Sequence, residues 1–197
     1  MSCARTSLVL ALCAPAVGVP LAAQTGGTLR ANQQIAAAVL AAPAEFRPDA
    51  TVLSYGADGQ LRPIRTGTGG MICLAPSPAE KDFHVACYHR SLEPFMARGR
   101  ALRASGFKGD QVDSARFAEV RAGTLAMPAQ PAALYQLFGG TLDSATGTVT
   151  GAKALFVVYV PGATAESTGL PAHPSEGAPW IMSAGTPRAH IMFVPTM

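Results

Sequence analysis

The sequence predicts an α+β fold, an antiparallel sheet with two or three helices packed on one face. Helical patterns fall in the first part of the chain, whereas apolar and β-branched runs separated by turns follow Pro131. Because no helix-period segment lies between these runs, their strands should pair antiparallel and leave one face for the helices. The 197 residues, 49% hydrophobic and 14% charged, suit a single folded domain.

The first 23 residues have the layout of a secretory signal peptide. Arg5 precedes an apolar run over residues 8–23 that ends in small residues, so we expect cleavage after Ala23. The run is shorter than the roughly 18 residues of a spanning helix and contains Pro15 and Pro20, which disfavours a membrane anchor. We therefore expect a periplasmic or secreted protein.

After cleavage, residues 24–31 should form a flexible leader and residues 32–197 a single α+β domain. The loss of residues 1–23 leaves 14 basic and 12 acidic residues, a small positive excess. The basic residues between positions 90 and 108 lack interleaved aromatics, so we expect no nucleic-acid partner. No later run is long enough to span a bilayer, so no membrane span is expected in the mature chain.

The N-terminal half predicts a short helix, a hairpin and a buried strand. Residues 32–42 combine good helix formers with an N-cap asparagine. Residues 51–55 and 60–65 flank a Gly-Ala-Asp-Gly turn, which indicates a hairpin, and Pro63 confines its second strand to an edge. The run Met-Ile-Cys-Leu at 71–74 follows a glycine-rich turn and predicts a buried strand.

The best amphipathic helix lies before Gly106, which is expected to end it. Ser91 can cap this helix, and a start near Asp82 would require a kink at Pro94. Its apolar stripe contains Leu92, Phe95, Met96, Gly99 and Leu102, and its opposite face contains Glu93, Ala97, Arg100 and Ala104. A second helix is predicted from Asp113 or Ser114 to about Gly123, and strands are predicted at 133–138, 154–160, 180–182 and 190–194.

Cys73 and Cys87 are the two cysteines that remain after cleavage. An even pair in an exported chain is most simply read as a disulfide, here between the 71–74 strand and the approach to the helix. The same region also offers His84 and His89, with Glu93 beside them and His190 in a later strand. These residue types could bind zinc or copper, so a metal site is the alternative interpretation.

Three segments carry a resemblance to known proteins. They read GGMICLAP at 69–76, HVACYHRSLEPFMARG at 84–99 and PWIMSAGTPRAHIMFVP at 179–195. Together they resemble a set of small exported bacterial proteins that have no assigned function. This resemblance covers most of the mature chain and implies a secreted single domain without adding catalytic residues.

No G-x-S-x-G or H-E-x-x-H motif is present, and the sequence assigns no catalytic residue. We therefore expect a non-catalytic binding or structural module of the bacterial envelope, with a small molecule or an envelope component as partner and without a cofactor. The alternative is a small metal-binding protein or metal-dependent enzyme that uses His84 and His89.

Overall fold

The computed structural model of this protein describes residues 29–174 and 177–195. The predicted signal peptide at 1–23 and residues 24–28 of the predicted leader lie outside these ranges. Within them the predicted α+β class is confirmed. Eight strands form one mostly antiparallel sheet, two short strands form a second sheet, and helices pack on the large sheet.

The bounds of the elements in the described ranges are as follows. The strands are β1 (Thr51–Tyr55), β2 (Leu61–Arg65), β3 (Met71–Leu74), β4 (His84–His89), β5 (Ala132–Phe138), β6 (Thr141–Leu142), β7 (Val149–Thr150), β8 (Lys153–Tyr159), β9 (Trp180–Met182) and β10 (His190–Phe193). The α-helices are α1 (Ala31–Ala38), α2 (Glu93–Ala104), α3 (Asp110–Arg121) and α4 (Ala165–Thr168). The strand order of the large sheet is β2-β1-β3-β4-β5-β8-β10-β9, and β6 pairs with β7.

The N-terminal strands show where the predicted pairing holds. β1 and β2 form the predicted hairpin, and β2, which contains Pro63, lies at the edge of the sheet. An edge strand tolerates proline because one of its sides has no neighbour to receive an N–H group. The chain then passes to the other side of β1, so β3 pairs parallel with β1, the exception to the predicted antiparallel pairing.

The C-terminal strands match the sequence prediction closely. The four predicted runs form β5, β8, β9 and β10, and β8 pairs antiparallel with β5 and with β10. The connection between β5 and β8 contains β6 and β7, where the sequence indicated only turns. Helix α3 begins at Asp110, about one turn before the predicted start.

β4 is a central strand, where the sequence analysis placed only the approach to a helix. It pairs antiparallel with β3 and with β5. Val85 and Cys87 are buried on one side of β4, and Ala86 and Tyr88 are buried on the other. A six-residue run that fills both faces of a sheet is stable as a strand, and α2 therefore starts only at Glu93, with no helix reaching back to Asp82.

The large sheet has helices on both faces. Helix α1 lies over one face, the α1 face, which contains Val52, Cys73, Val85 and Cys87. Helices α2 and α3 lie over the opposite α2 face, which contains Ile72, Tyr88, Leu134 and Tyr159. The prediction that two helices share one face therefore holds for α2 and α3. Helix α1 lies on the other face, where its alanines belong to the cluster around the cysteines.

Small side chains let α1 approach the sheet closely. Ala37 and Ala38 have no exposed surface, and the carbonyl oxygen of Ala38 lies 3.3 Å from Sγ of Cys87. Ile35 and Val39 are half-buried against the same cluster. A side chain larger than alanine would hold the helix away from the strands, so this part of the core depends on the alanines.

No helix within the described residues has the length and apolar character to cross a membrane.

Candidate functional site

A cleft of about 900 Å³ opens between α2 and the α2 face of the sheet. Leu74, Ala86 and Leu134, from three adjacent strands, form an apolar floor. This volume falls in the range of small-molecule binding sites, and an apolar floor with a few polar groups is typical of them.

The cleft wall is formed by the side of α2 that the sequence analysis placed opposite the apolar stripe. Ala97, Arg100, Ala101 and Ala104 all line the cleft. Positions 97, 101 and 104 have the spacing that places side chains on one side of a helix. Because three of these four residues are alanines, the helix surface leaves room above the sheet. The buried residues Phe95, Gly99 and Leu102 lie on a different side of α2.

Hydrogen bonds among three polar side chains connect α2 to β4. The Tyr88 hydroxyl donates a hydrogen bond to Oε2 of Glu93 at 2.5 Å and accepts one from Nη1 of Arg100 at 3.1 Å. Nη2 of Arg100 donates to Oε1 of Glu93 at 2.6 Å. Burial of the Tyr88 ring raises the pKa of its hydroxyl, so the group stays protonated and acts as a donor. The triad therefore aligns the Arg100 guanidinium along the cleft wall.

One end of the cleft, the cationic end, is formed by Arg103, Arg116, Arg188 and Tyr159, with the carboxylate of Asp113 behind them. Arg116 donates to Oδ1 of Asp113, and Nη1 of Arg188 lies 2.5 Å from Oδ2. The spacing of three residues on α3 places Arg116 over Asp113, and a C-terminal loop brings Arg188 to the same carboxylate.

Arg116 is the most buried charged residue in the described chain, with 4% of its surface exposed. Its guanidinium carbon lies 3.8 Å from the centre of the Phe95 ring, and Nη1 donates to the Phe95 carbonyl oxygen at 3.2 Å. Burial lowers the pKa of Arg116, and the Asp113 carboxylate opposes that effect. Arginine keeps its proton in proteins, so this is a buried positive charge at the cleft.

A histidine and a tyrosine support the cationic end from the sheet. The His190 ring stacks on Tyr159 with ring centres 5.3 Å apart, and its Nδ1 lies 2.7 Å from the Arg188 carbonyl oxygen. A carbonyl only accepts hydrogen bonds, so Nδ1 carries the proton. Burial lowers the pKa of His190, which favours the neutral ring, and burial raises the pKa of Tyr159.

The opposite end of the cleft carries Tyr55, Glu80 and His84. Nδ1 of His84 lies 3.2 Å from Oε2 of Glu80, and both side chains are substantially exposed. Burial raises the pKa of Tyr55, and the nearby Glu80 carboxylate adds to that effect. The two ends therefore differ in charge, since this end contains an acidic group and the other end contains three guanidinium groups.

The predicted metal set is not brought together. His84 and His89 are five residues apart on β4, which places their side chains on opposite faces of the sheet. His190 lies on β10, separated from β4 by β5 and β8, or three strand spacings of about 14 Å in total. Glu93 is engaged with Tyr88 and Arg100. Within residues 29–174 and 177–195, no three His, Cys, Asp or Glu side chains are grouped to hold a metal ion.

The disulfide between Cys73 and Cys87 is present, and it joins two neighbouring strands. The cysteines face each other in the antiparallel pairing of β3 with β4, with Cα atoms 4.0 Å apart. Both have no exposed surface and lie on the α1 face, away from the cleft. The bond is therefore part of the core.

The cleft is equipped for binding. Its lining contains tyrosine hydroxyls and guanidinium groups as donors, and no Ser, Thr, Cys or Lys is among the lining residues. The sequence analysis named Glu93 as a candidate metal ligand, and it placed Arg100 on the helix face opposite the apolar stripe. The one local signal that could have indicated the ion pair is the three-residue spacing of Asp113 and Arg116.

No family model, curated protein or solved structure matches this chain.

Proposed function

We propose that this protein is an exported binding module of the bacterial envelope that holds a small molecule in the cleft between α2 and the sheet. The observation that carries the proposal is the cleft itself, about 900 Å³ in volume, with an apolar floor and arginine and tyrosine donors around it. Such a combination buries the apolar part of a ligand and fixes its orientation through the polar part.

Export is supported by the layout of residues 1–23 and by the disulfide. Disulfides form and persist in the periplasm and outside the cell, whereas cytosolic thiols are kept reduced. The Cys73–Cys87 bond fits an oxidising compartment. We expect the mature chain to begin at Gln24, which mass spectrometry of the protein from a periplasmic or culture fraction would test.

A binding role is favoured over catalysis by the chemistry of the lining. The lining residues include no serine, cysteine, threonine or lysine, the hydroxyl, thiol and amine nucleophiles of covalent catalysis. The one carboxylate among them, Glu80, is paired with His84. The three tyrosines of the cleft have raised pKa values, so they donate hydrogen bonds and do not act as bases near neutral pH. The groups present are therefore suited to recognising a ligand.

The proposal can be tested with a variant that fills the cleft. Ala101→Trp places an indole on the cleft wall, whereas Ala118→Trp makes the same change at an exposed position of α3 outside the cleft. Ligand-observed NMR with a library of small acids, amines, alcohols and sugars should find compounds that bind the wild type and Ala118→Trp but not Ala101→Trp. Absence of any such compound, or turnover of a bound one, would contradict the proposal.

A further inference from the structure

We propose that the cationic end of the cleft recognises an oxyanion, a carboxylate or phosphate group, attached to an apolar body. This inference rests on the proposed function, because it specifies the chemistry of the small molecule that the cleft holds. Three properties of Arg103, Arg116 and Arg188 carry it: their surplus of charge, their unfilled hydrogen-bond donors and their proximity to one another.

The charge at this end is not balanced by the protein. Asp113 is the one carboxylate in contact with Arg116 and Arg188. Arg103 forms no ion pair with any residue in the described part of the chain. Three guanidinium groups therefore share one carboxylate. Their attraction for an anion is stronger in a partly enclosed cleft than at an open surface, because less water screens it.

The hydrogen-bonding capacity of these arginines is also unfilled. A guanidinium carries five N–H donors. Arg116 uses Nη1 for the Phe95 carbonyl and Nη2 for Asp113, and Arg188 uses Nη1 for Asp113 and Nη2 for Ser183. The Nε–H groups of Arg116 and Arg188 are buried without a partner in the described structure. Oxygen atoms of a ligand would bond the Arg103 side chain and the remaining Nη–H groups of Arg116 and Arg188, which the protein leaves free.

Gly99 brings two of the guanidinium groups together. Nη1 of Arg116 and Nη1 of Arg103 lie 2.9 and 3.3 Å from the point where a Cβ atom at Gly99 would sit, so they are within about 6 Å of each other. One carboxylate or phosphate is large enough to contact both nitrogens. The missing side chain at position 99 therefore makes room for this pair, and the Tyr159 hydroxyl lines the same cleft as a further donor.

The remainder of the cleft defines the body of the ligand. Leu74, Ala86 and Leu134 present an apolar floor, and the alanines of α2 face it. An apolar body gains free energy by leaving water for this surface. Glu80 at the far end would repel a second negative charge. The geometry thus fits a molecule with a single anionic group at one end.

Four probes with the same alkyl chain separate these contributions: octanoate, octyl phosphate, octylamine and 1-octanol. Isothermal titration calorimetry on the mature wild-type chain measures the Kd of each. We expect at least one of the two anions to bind about tenfold tighter than octanol, as charge-assisted hydrogen bonds predict, and octylamine to bind most weakly. Comparison of octanoate with octyl phosphate shows which oxyanion is preferred.

Arg103→Gln is the decisive variant. The Arg103 side chain is exposed, and it makes no hydrogen bond or ion pair with any described residue, so its loss should not affect the fold. This variant should raise the Kd of the preferred anion roughly tenfold and leave the Kd of octanol unchanged. Arg121→Gln removes the same charge from an exposed position of α3 outside the cleft and should change neither. Circular dichroism confirms that both variants fold.

The outcomes distinguish the two proposals. If octanol binds as tightly as the anions, or Arg103→Gln leaves anion binding unchanged, the oxyanion inference is overturned and the cleft remains a binding site. The inference also falls if none of the four probes binds while other library compounds bind the wild type but not Ala101→Trp. If no compound of any kind binds in the cleft, the proposed function fails together with the inference.

Discussion

The two faces of the large sheet are built from different chemistry. The α1 face is mostly apolar and closely packed where Ala37 and Ala38 lie on the strands above the disulfide. One polar contact, from Ser54 of β1 to Gln34 of α1, also joins this helix to the sheet. The α2 face contains ionised side chains between helix and sheet, and a cleft opens beside them. The same sheet therefore carries a buried apolar cluster on each face and the cleft on the α2 face.

The difference follows from the side chains at the helix–sheet contacts. Alanine at 37 and 38 allows close packing, so the apolar surface at these two positions is fully removed from water. Arg100 and Tyr88 are long side chains whose polar ends must keep hydrogen-bond partners. They connect α2 to the sheet through directed bonds, and these bonds do not fill the neighbouring volume. We therefore expect packing to hold α1 on the sheet and polar contacts to hold α2, beside a cleft suited to recognition.

The largest effect should come from breaking the buried ion pair on the α2 face. Asp113→Asn removes the carboxylate that Arg116 and Arg188 share, and it leaves the buried Arg116 charge without an ionised partner. We expect the free energy of unfolding to fall by about 4 kcal/mol, the cost typical of breaking a buried pair. Urea denaturation of both proteins at neutral pH measures the difference.

The matched control breaks an ion pair on the outside of the same helix. Glu119→Gln removes the partner of Arg98, where both side chains are substantially exposed to water. Exposed pairs contribute little, so the denaturation midpoint should hardly move. Equal losses in Asp113→Asn and Glu119→Gln would contradict the view that burial makes the Asp113 pair essential.

A somewhat smaller effect is expected from the disulfide on the α1 face. In Cys73→Ala/Cys87→Ala the cross-link between residues 14 positions apart is lost. Chain-entropy estimates for a loop of this size give about 3 kcal/mol of destabilisation. Alanine is used because a buried serine hydroxyl would add a separate cost.

The double cysteine variant also tests how independent the two faces are. Because the cleft lies on the opposite face, probe binding by the folded variant should match the wild type in calorimetry. A cleft that loses binding while the protein remains folded would show that the α1 face also shapes the site. Unchanged urea denaturation would show instead that the bond contributes nothing to stability.

The sequence predicted elements whose signals are local. β8 and β10 are continuous apolar runs between turns, so short windows identify them. The pairing of Cys73 with Cys87 followed from counting cysteines in a chain that we expected to be exported. The strand β4 was missed because its residues adjoin the helix cap signal of Ser91. Only its position between β3 and β5 favours a strand there.

The cleft could not be predicted because no local pattern connects its parts. Tyr55, Arg100, Arg116 and Arg188 come from a hairpin, two helices and a loop, and only the folded chain places them together. A charged residue on a helix is normally solvated, so Arg116 gave no sign of its burial.

The metal site predicted as the alternative was wrong for a related reason. His84 and His89 are close in sequence, but side chains alternate along β4, so these two lie on opposite faces of the sheet.

The smallest effect expected from these variants compares one tyrosine hydroxyl on each face. Tyr88→Phe removes the group that donates to Glu93 and accepts from Arg100 on the α2 face. Because this hydroxyl belongs to a buried residue and both its bonds involve charged partners, we expect a loss of about 1 kcal/mol in unfolding free energy. The Glu93–Arg100 pair itself remains, which limits the loss.

Tyr135→Phe makes the same change on the α1 face, where the Tyr135 hydroxyl has no hydrogen bond to any described residue. Its ring stays in place against Phe156, so the free energy of unfolding should change by only a few tenths of a kcal/mol. Urea denaturation of the two single variants and of the double variant completes the comparison. Equal losses at positions 88 and 135 would mean that the hydroxyl network does not hold α2. A larger loss at position 88 would support directed polar bonds as the main attachment of α2 to the sheet and packing as the main attachment of α1.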